Sequence, residues 1–286
     1  MITSTILTGS EIMAIDNSFM KKRLEKMEHL YVLFSAATHL PFVECDESTY
    51  DDQIYVFATQ ESVQTFAKSS TGKKYPLQAA QIPNKMFRNF FGGLYQFGVN
   101  SVVFQEEGAP VRIALADLAE PLKVDEEMAK KLPVSNPELQ LTAMYFMQEM
   151  RRPVKERDPE EKAQLRSMEE EMAHNLFKSR FIVIYDTSQV KGKWDPKDKN
   201  ARVGIPQIKT KDGRAFQPVF TDPDEFRRFT AKTKEKRNMR LVPVPYADLP
   251  KFLAKNSEGF AFNPAGVNLV LTKAQMERLY SLYGNK

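Results

Sequence analysis

Residues 55–66 read YVFATQESVQTF, and residues 218–229 read PVFTDPDEFRRF. Phe57 matches Phe220 and Phe66 matches Phe229, both at an offset of 163. Farther along, Gly98-Val99-Asn100 matches Gly266-Val267-Asn268 at an offset of 168. Between these blocks each half carries an extended piece followed by a short amphipathic one, YPLQAAQIPNKMFRNFF at 75–91 and RLVPVPYADLPKFLAK at 240–255. Order and spacing recur together, which is the mark of an internal repeat.

The flanks agree. Met20, Leu24 and Met27 fall on one helical face, and the β-rich run YVLFS follows. Leu165, Met168, Met172 and Leu176 do the same in the second half, before FIVIY. Asp158-Pro159-Glu160-Glu161 supplies an N-cap acceptor, a proline at N1 and first-turn acids, which predicts a helix start. Thr272 is the expected N-cap of a terminal helix. Asp212-Gly213 is a hairpin turn signal, and Glu107-Gly108 marks another. Each unit then reads helix, three strands, helix, strand, helix, strand.

Strands mixed with short helices and lacking a steady βαβ rhythm predict an α+β fold. The expected architecture is two tandem related units, each a mixed or mostly antiparallel sheet with helices on one face. The first unit is placed at residues 1–134 and the second at 159–286. A helix and linker at 135–158 join them, because Leu141, Met144 and Tyr145 keep helical spacing and 151–158 is polar with Pro153. Met144, Met147 and Met150 read as adaptable packing residues.

Composition narrows the class. The 286 residues are 42% hydrophobic and 27% charged, ordinary for a globular protein. A single cysteine, Cys45, forms no internal disulfide, and three scattered histidines do not make a zinc centre. No apolar run approaches the roughly 20 residues that span a bilayer. The first residues lack the basic and apolar regions of a signal peptide. A cytoplasmic protein without membrane, metal or cofactor is expected.

PVFTDPDEFRRF, VPVPYADL and GFAFNPAGVNLVLTKAQMERL together resemble the SseB family, named for enhanced serine sensitivity. The signature is the loop Asn263-Pro264-Ala265-Gly266-Val267-Asn268, and the likeness is strongest over 180–286. The first unit is a degenerate copy: Gln96-Phe97-Gly98-Val99-Asn100 keeps the glycine, valine and asparagine and loses the Asn-Pro pair. The resemblance implies a bacterial cytoplasmic α+β protein and brings no catalytic residue with it.

The residues themselves point the same way. In the signature loop an asparagine before proline favours extended backbone, and glycine allows positive φ or close approach. A structural turn explains these residue types, with a ligand-contacting loop as the sharper alternative. Cys45 sits in ECDESTYDD, where like charge raises a thiol pKa and opposes activation. Glu106-Glu107 and Glu169-Glu170-Glu171 read as solvated faces, and His174 pairs with Glu170 at i−4. Ser70-Thr71-Gly72-Lys73-Lys74 lacks the glycine and hydroxyl of a phosphate loop. No catalytic residue is assigned.

Charge is the remaining signal. Residues 181–286 hold 20 Lys and Arg against 11 Asp and Glu, a net of +9, whereas 31–134 hold 9 against 13. The candidate interaction surface is Lys191, Lys193, Trp194, Lys197, Arg227 and Arg228. Trp194, the only tryptophan, either stacks on a partner or folds back to fix its loop. The expected role is a non-enzymatic binding or adapter module whose partner is another protein. The alternative is binding of an anionic ligand or nucleic acid by the basic second unit, which must weaken with salt.

Overall fold

The computed structural model describes residues 9–106, 109–123, 126–190, 203–231 and 237–284. It divides into two units, 1–122 and 123–286. In the first, helix α1 (Gly9–Lys26) precedes strands β1 (His29–Ser35), β2 (Val43–Cys45) and β3 (Asp52–Phe57). Then come α2 (Gln60–Ala67), α3 (Ser70–Lys74), β4 (Leu77–Pro83), α4 (Phe87–Leu94), β5 (Ser101–Gln105), β6 (Val111–Ala114) and α5 (Leu115–Leu118). The sheet runs β4-β1-β3-β5-β6, with β2 also on β3.

The second unit holds α6 (Glu126–Lys131), α7 (Pro137–Met150), α8 (Pro159–Lys178), β7 (Arg180–Asp186), β8 (Ile208–Lys209) and β9 (Ala215–Phe220). It continues through α9 (Pro223–Ala231), β10 (Met239–Pro245), a 3-10 segment Tyr246–Phe252, β11 (Gly259–Phe262), β12 (Leu269–Thr272) and α10 (Lys273–Tyr283). Its sheet runs β10-β7-β9-β11-β12, with β8 on β9. The two strand orders are the same. Among the described residues only β3–β5 and β9–β11 pair parallel; the other pairings are antiparallel. The expected α+β class with two related mixed sheets is what the chain adopts. The helix expected at 135–150 lies inside the second unit.

Local chemistry starts and stops these elements. Asp158 accepts from Glu161 N at 2.8 Å and the Glu161 carboxylate reaches back to Asp158 N, a capping box with Pro159 at N1. Thr272 caps α10 in the same way with Gln275. Gly213, at φ 84°, turns the β8–β9 hairpin, a conformation glycine adopts without strain.

The aligned phenylalanines do the same job twice. Phe57 ends β3 and meets Phe66 of α2 at 5.4 Å between ring centroids; Phe220 ends β9 and meets Phe229 of α9 at the same 5.4 Å. The N-caps between them also correspond. Thr59 accepts from Ser62 N, and Asp222 accepts from Glu225 N. The Gly-Val-Asn alignment is different. Leu115 N donates to Asn100 O and Lys273 N donates to Glu258 O, so Asn100 is equivalent to Glu258. Gly98–Asn100 therefore enters β5, whereas Gly266–Asn268 enters β12, and the three shared letters fall at non-equivalent places.

Helices, expected on one face, cover both faces of the second sheet. Ile182, Ile184 and Phe220 pack under Phe226 and Phe229 of α9. On the other face Phe262 and Leu269 meet Leu139 and Ala143 of α7 and Leu176 of α8. Phe181, Ile182, Val183 and Ile184 are consequently all buried, since β7 has no wet side.

Phe57→Ala and Phe220→Ala remove fully buried rings. Each should cost about 3–5 kcal/mol in denaturant unfolding. A cost near zero for either would show that its strand–helix contact does not hold its unit together.

Candidate functional site

The signature loop is the β11–β12 turn. Asn263 and Asn268 are its left-handed residues, at φ 46° and 50°. The extended backbone expected for Asn263 from the proline after it is overridden. Its buried side chain accepts from Thr221 N at 3.0 Å and donates to Thr221 Oγ1 at 2.7 Å and Gln140 Oε1 at 3.3 Å. Gly266 does not take positive φ. It is glycine because a Cβ there would lie 2.5 Å from Glu225 Oε2. Pro264 sits between them in the turn. Arg151 closes the exit by donating to Val267 O at 3.3 Å and Asn268 O at 2.8 Å.

Beneath this turn lie two buried carboxylates. Asp222 Oδ1 accepts from Asp224 N and Glu225 N at 2.8 and 2.9 Å. Its Oδ2 accepts from Gln140 Nε2 at 2.7 Å and Thr221 Oγ1 at 2.9 Å. Burial pushes the Asp222 carboxyl up, and the Glu225 N–H and Thr221 hydroxyl pull it back. Glu225 is 1% exposed. Its Oε1 meets Arg228 Nη1 at 2.7 Å, and its Oε2 has no hydrogen-bond partner. Burial pushes it to about 7, with Arg228 opposing and Asp222 and Asp224 adding to the rise. These groups hold the turn beside α9.

A different feature offers binding space. A cavity of about 510 Å³ opens on the α7–α8 face of the second sheet, lined by Tyr246, Pro250, Leu253, Phe260, Met276 and Tyr280. Lys273 and Glu277 also line it, with Nζ and Oε1 3.8 Å apart. Tyr280 is 54% exposed and Leu282 45% exposed on the same helix. Two polar groups lie beside this apolar wall. The Tyr246 hydroxyl is buried without a partner. Gln217 is fully buried and stands in register with Phe260 on the neighbouring strand, so the two side chains share a face. Its Oε1 accepts from Ala254 N at 3.1 Å, and its Nε2 has no acceptor.

Sequence reading passed over both residues. Their signal was available in the repeat: at the offset that matches the phenylalanines, Gln217 stands where the first unit has the fully buried Ile54. Tyr246 stands where it has Asn84. The backbone N–H of each follows the proline ending its strand and donates to the equivalent carbonyl, Glu28 O or Ser179 O.

The residues expected on the interaction surface are divided. Lys191, Lys193, Trp194 and Lys197 lie outside the described residues. Arg227 pairs with Asp224 and Arg228 with Glu225, both within α9. Cys45 is exposed at the end of β2. The acidic loop after it is gathered by Arg112, which pairs with Asp46 and, at 3.5 Å, with Asp51. His174, expected beside Glu170, places Nε2 3.2 Å from Tyr283 O. Among the described residues no cluster of His, Cys, Asp and Glu could hold a metal, and no helix is long and apolar enough to cross a membrane.

Residues 156–278 match the family described as SseB protein N-terminal domain, which here occupies the C-terminal half. No curated protein matches the chain. Among solved structures the chain is similar to Anabaena Tic22 (protein transport), at 13% identity and a TM-score of 0.19, over 96% of this chain and 98% of that one.

Glu225 makes stability depend on pH. Its carboxyl rises from an ordinary 4.5 to about 7 in the folded chain, so the folded state favours the proton. Its contribution is complete below pH 4.5, is lost as pH rises through 7, and amounts to about 3 kcal/mol. Glu225→Gln should remove that part of the slope. Parallel pH curves for the two proteins in chemical unfolding would refute it.

Proposed function

We propose that this chain, which belongs to the SseB family through its second unit, is a cytoplasmic binding module that engages another protein. The observation that carries this reading is the apolar cavity between Tyr246–Phe252 and α10, with Tyr280 exposed on its wall. An exposed aromatic side chain beside a concave apolar wall is the material of a protein contact. The carboxylates that could have served chemistry have other work. Asp222 caps α9 and Glu225 packs against Gly266, so both support the fold.

A second reading is capture of an anionic ligand or nucleic acid, favoured by the net +9 of residues 181–286. It draws on Lys191, Lys193, Trp194 and Lys197, because Arg227 and Arg228 already face carboxylates. The two readings respond oppositely to salt, since phosphate binding falls steeply as counterions compete and apolar docking does not.

Immobilised full-length protein should retain a stoichiometric partner from a bacterial lysate between 50 and 500 mM salt, as a contact without counterion release requires. Tyr280→Glu should abolish that retention. Retention that disappears with salt, and with Lys191, Lys193 and Trp194 replaced by alanine, would transfer the function to the basic surface. No retained protein at any salt would reject the adapter reading.

A further inference from the structure

The apolar cavity carries more information than its shape. Its walls contribute aromatic rings, a proline and a methionine, yet two buried polar atoms nearby lack partners. Leaving such groups unpaired costs roughly 1–3 kcal/mol each; among the described residues Ser101 Oγ, Arg157 Nε and Glu225 Oε2 are also buried without partners, but none of those residues lines this cavity. The orientation of Gln217 is fixed by chemistry. A backbone N–H only donates, so the atom facing Ala254 N is the oxygen, and the orphan is the NH₂. Burial raises the Tyr246 phenol further above neutrality, so it keeps its proton and can donate. Lys273, also on the cavity wall, adds a cation. Its partner Glu277 is 68% exposed at 3.8 Å, a solvated pair that holds the ammonium weakly. All three groups offer protons and none of the three needs one.

We propose that this cavity binds a hydrophobic carboxylate, its apolar body against Phe260, Met276 and Tyr280 and its carboxylate served by Tyr246, Gln217 and Lys273. A neutral hydrocarbon would leave the two buried donors unpaired. A phosphate or other compact anion would lose its hydration against apolar walls. A molecule with both parts matches both features, and a cavity of about 510 Å³ is of the size that takes small ligands. Two sources present this chemistry: a free aryl or alkyl acid, and the C-terminal residue of a protein chain. The inference deepens the adapter reading and rests on it where the source is a protein terminus.

The test is calorimetric titration of the full-length protein with 3-phenylpropionate, its amide, and short peptides ending in phenylalanine with free or amidated C-termini. Acids should bind on the order of tenfold tighter than the matching amides, as expected when charged hydrogen bonds are added. Lys273→Met and Gln217→Leu should remove that preference. Met276→Trp, with an unchanged circular dichroism spectrum, should block acids and amides alike. Tighter binding of the free acid, or of the peptide, identifies the source. Equal affinity for acids and amides overturns the proposal, as does no binding. If Tyr280→Glu still abolishes partner capture when no carboxylate binds, this inference fails and the adapter reading stands. If small acids bind and no partner is captured, the reverse holds.

Discussion

A phenylalanine at the end of a strand, pressed against a second phenylalanine on the helix that follows, anchors each unit. Phe57 with Phe66 and Phe220 with Phe229 meet at the same separation, and a capped helix start lies between them each time. The contact decides which way the helix leaves the strand and which sheet face it covers. The parallel partner strand, β5 or β11, must then arrive after a crossover over the sheet. The identical strand orders follow from that shared constraint.

On this common frame the second unit places polar groups where the first is bland. Ile54 is replaced by Gln217, Ser62 by Glu225 and Asn84 by Tyr246. In the first unit Ser62 Oγ donates to Glu106 O at the β5–β6 turn at 2.8 Å, and the small neutral link is satisfied. In the second, Glu225 reaches the equivalent β11–β12 turn with one oxygen unpaired. Asn84 donates to Glu25 O and Met27 O, whereas the Tyr246 hydroxyl finds nothing. Exchanges that bury a polar atom without a partner mark places where a fold has been adapted. The Gln217 and Tyr246 exchanges fall beside the cavity.

Much of this was readable before any coordinates. The repeat, the capping residues Asp158 and Thr272, and the Asp212-Gly213 turn are local statements, and local chemistry is written in adjacent residues. The run Phe181-Ile182-Val183-Ile184 also announced a strand. Its lack of alternation is the pattern of a strand buried on both faces. The Gly-Val-Asn correspondence misled because three letters can recur where topology does not. Asn263 defied its proline because partners from α7 and β9, distant in sequence, hold it in the left-handed region.

The chain's own order of residues therefore determined that two related α+β units exist, where several of their helices start, and how their charge is divided, because each depends on neighbours a few positions apart. Tertiary structure alone decided that Tyr246, Phe260 and Lys273 line one cavity, that Gln217 stands beside Phe260, and that Glu225 is buried against Gly266. A side chain acquires an unmet hydrogen bond or a displaced proton affinity only when folding removes water from it, and which groups lose their water is settled by contacts between residues far apart in the chain.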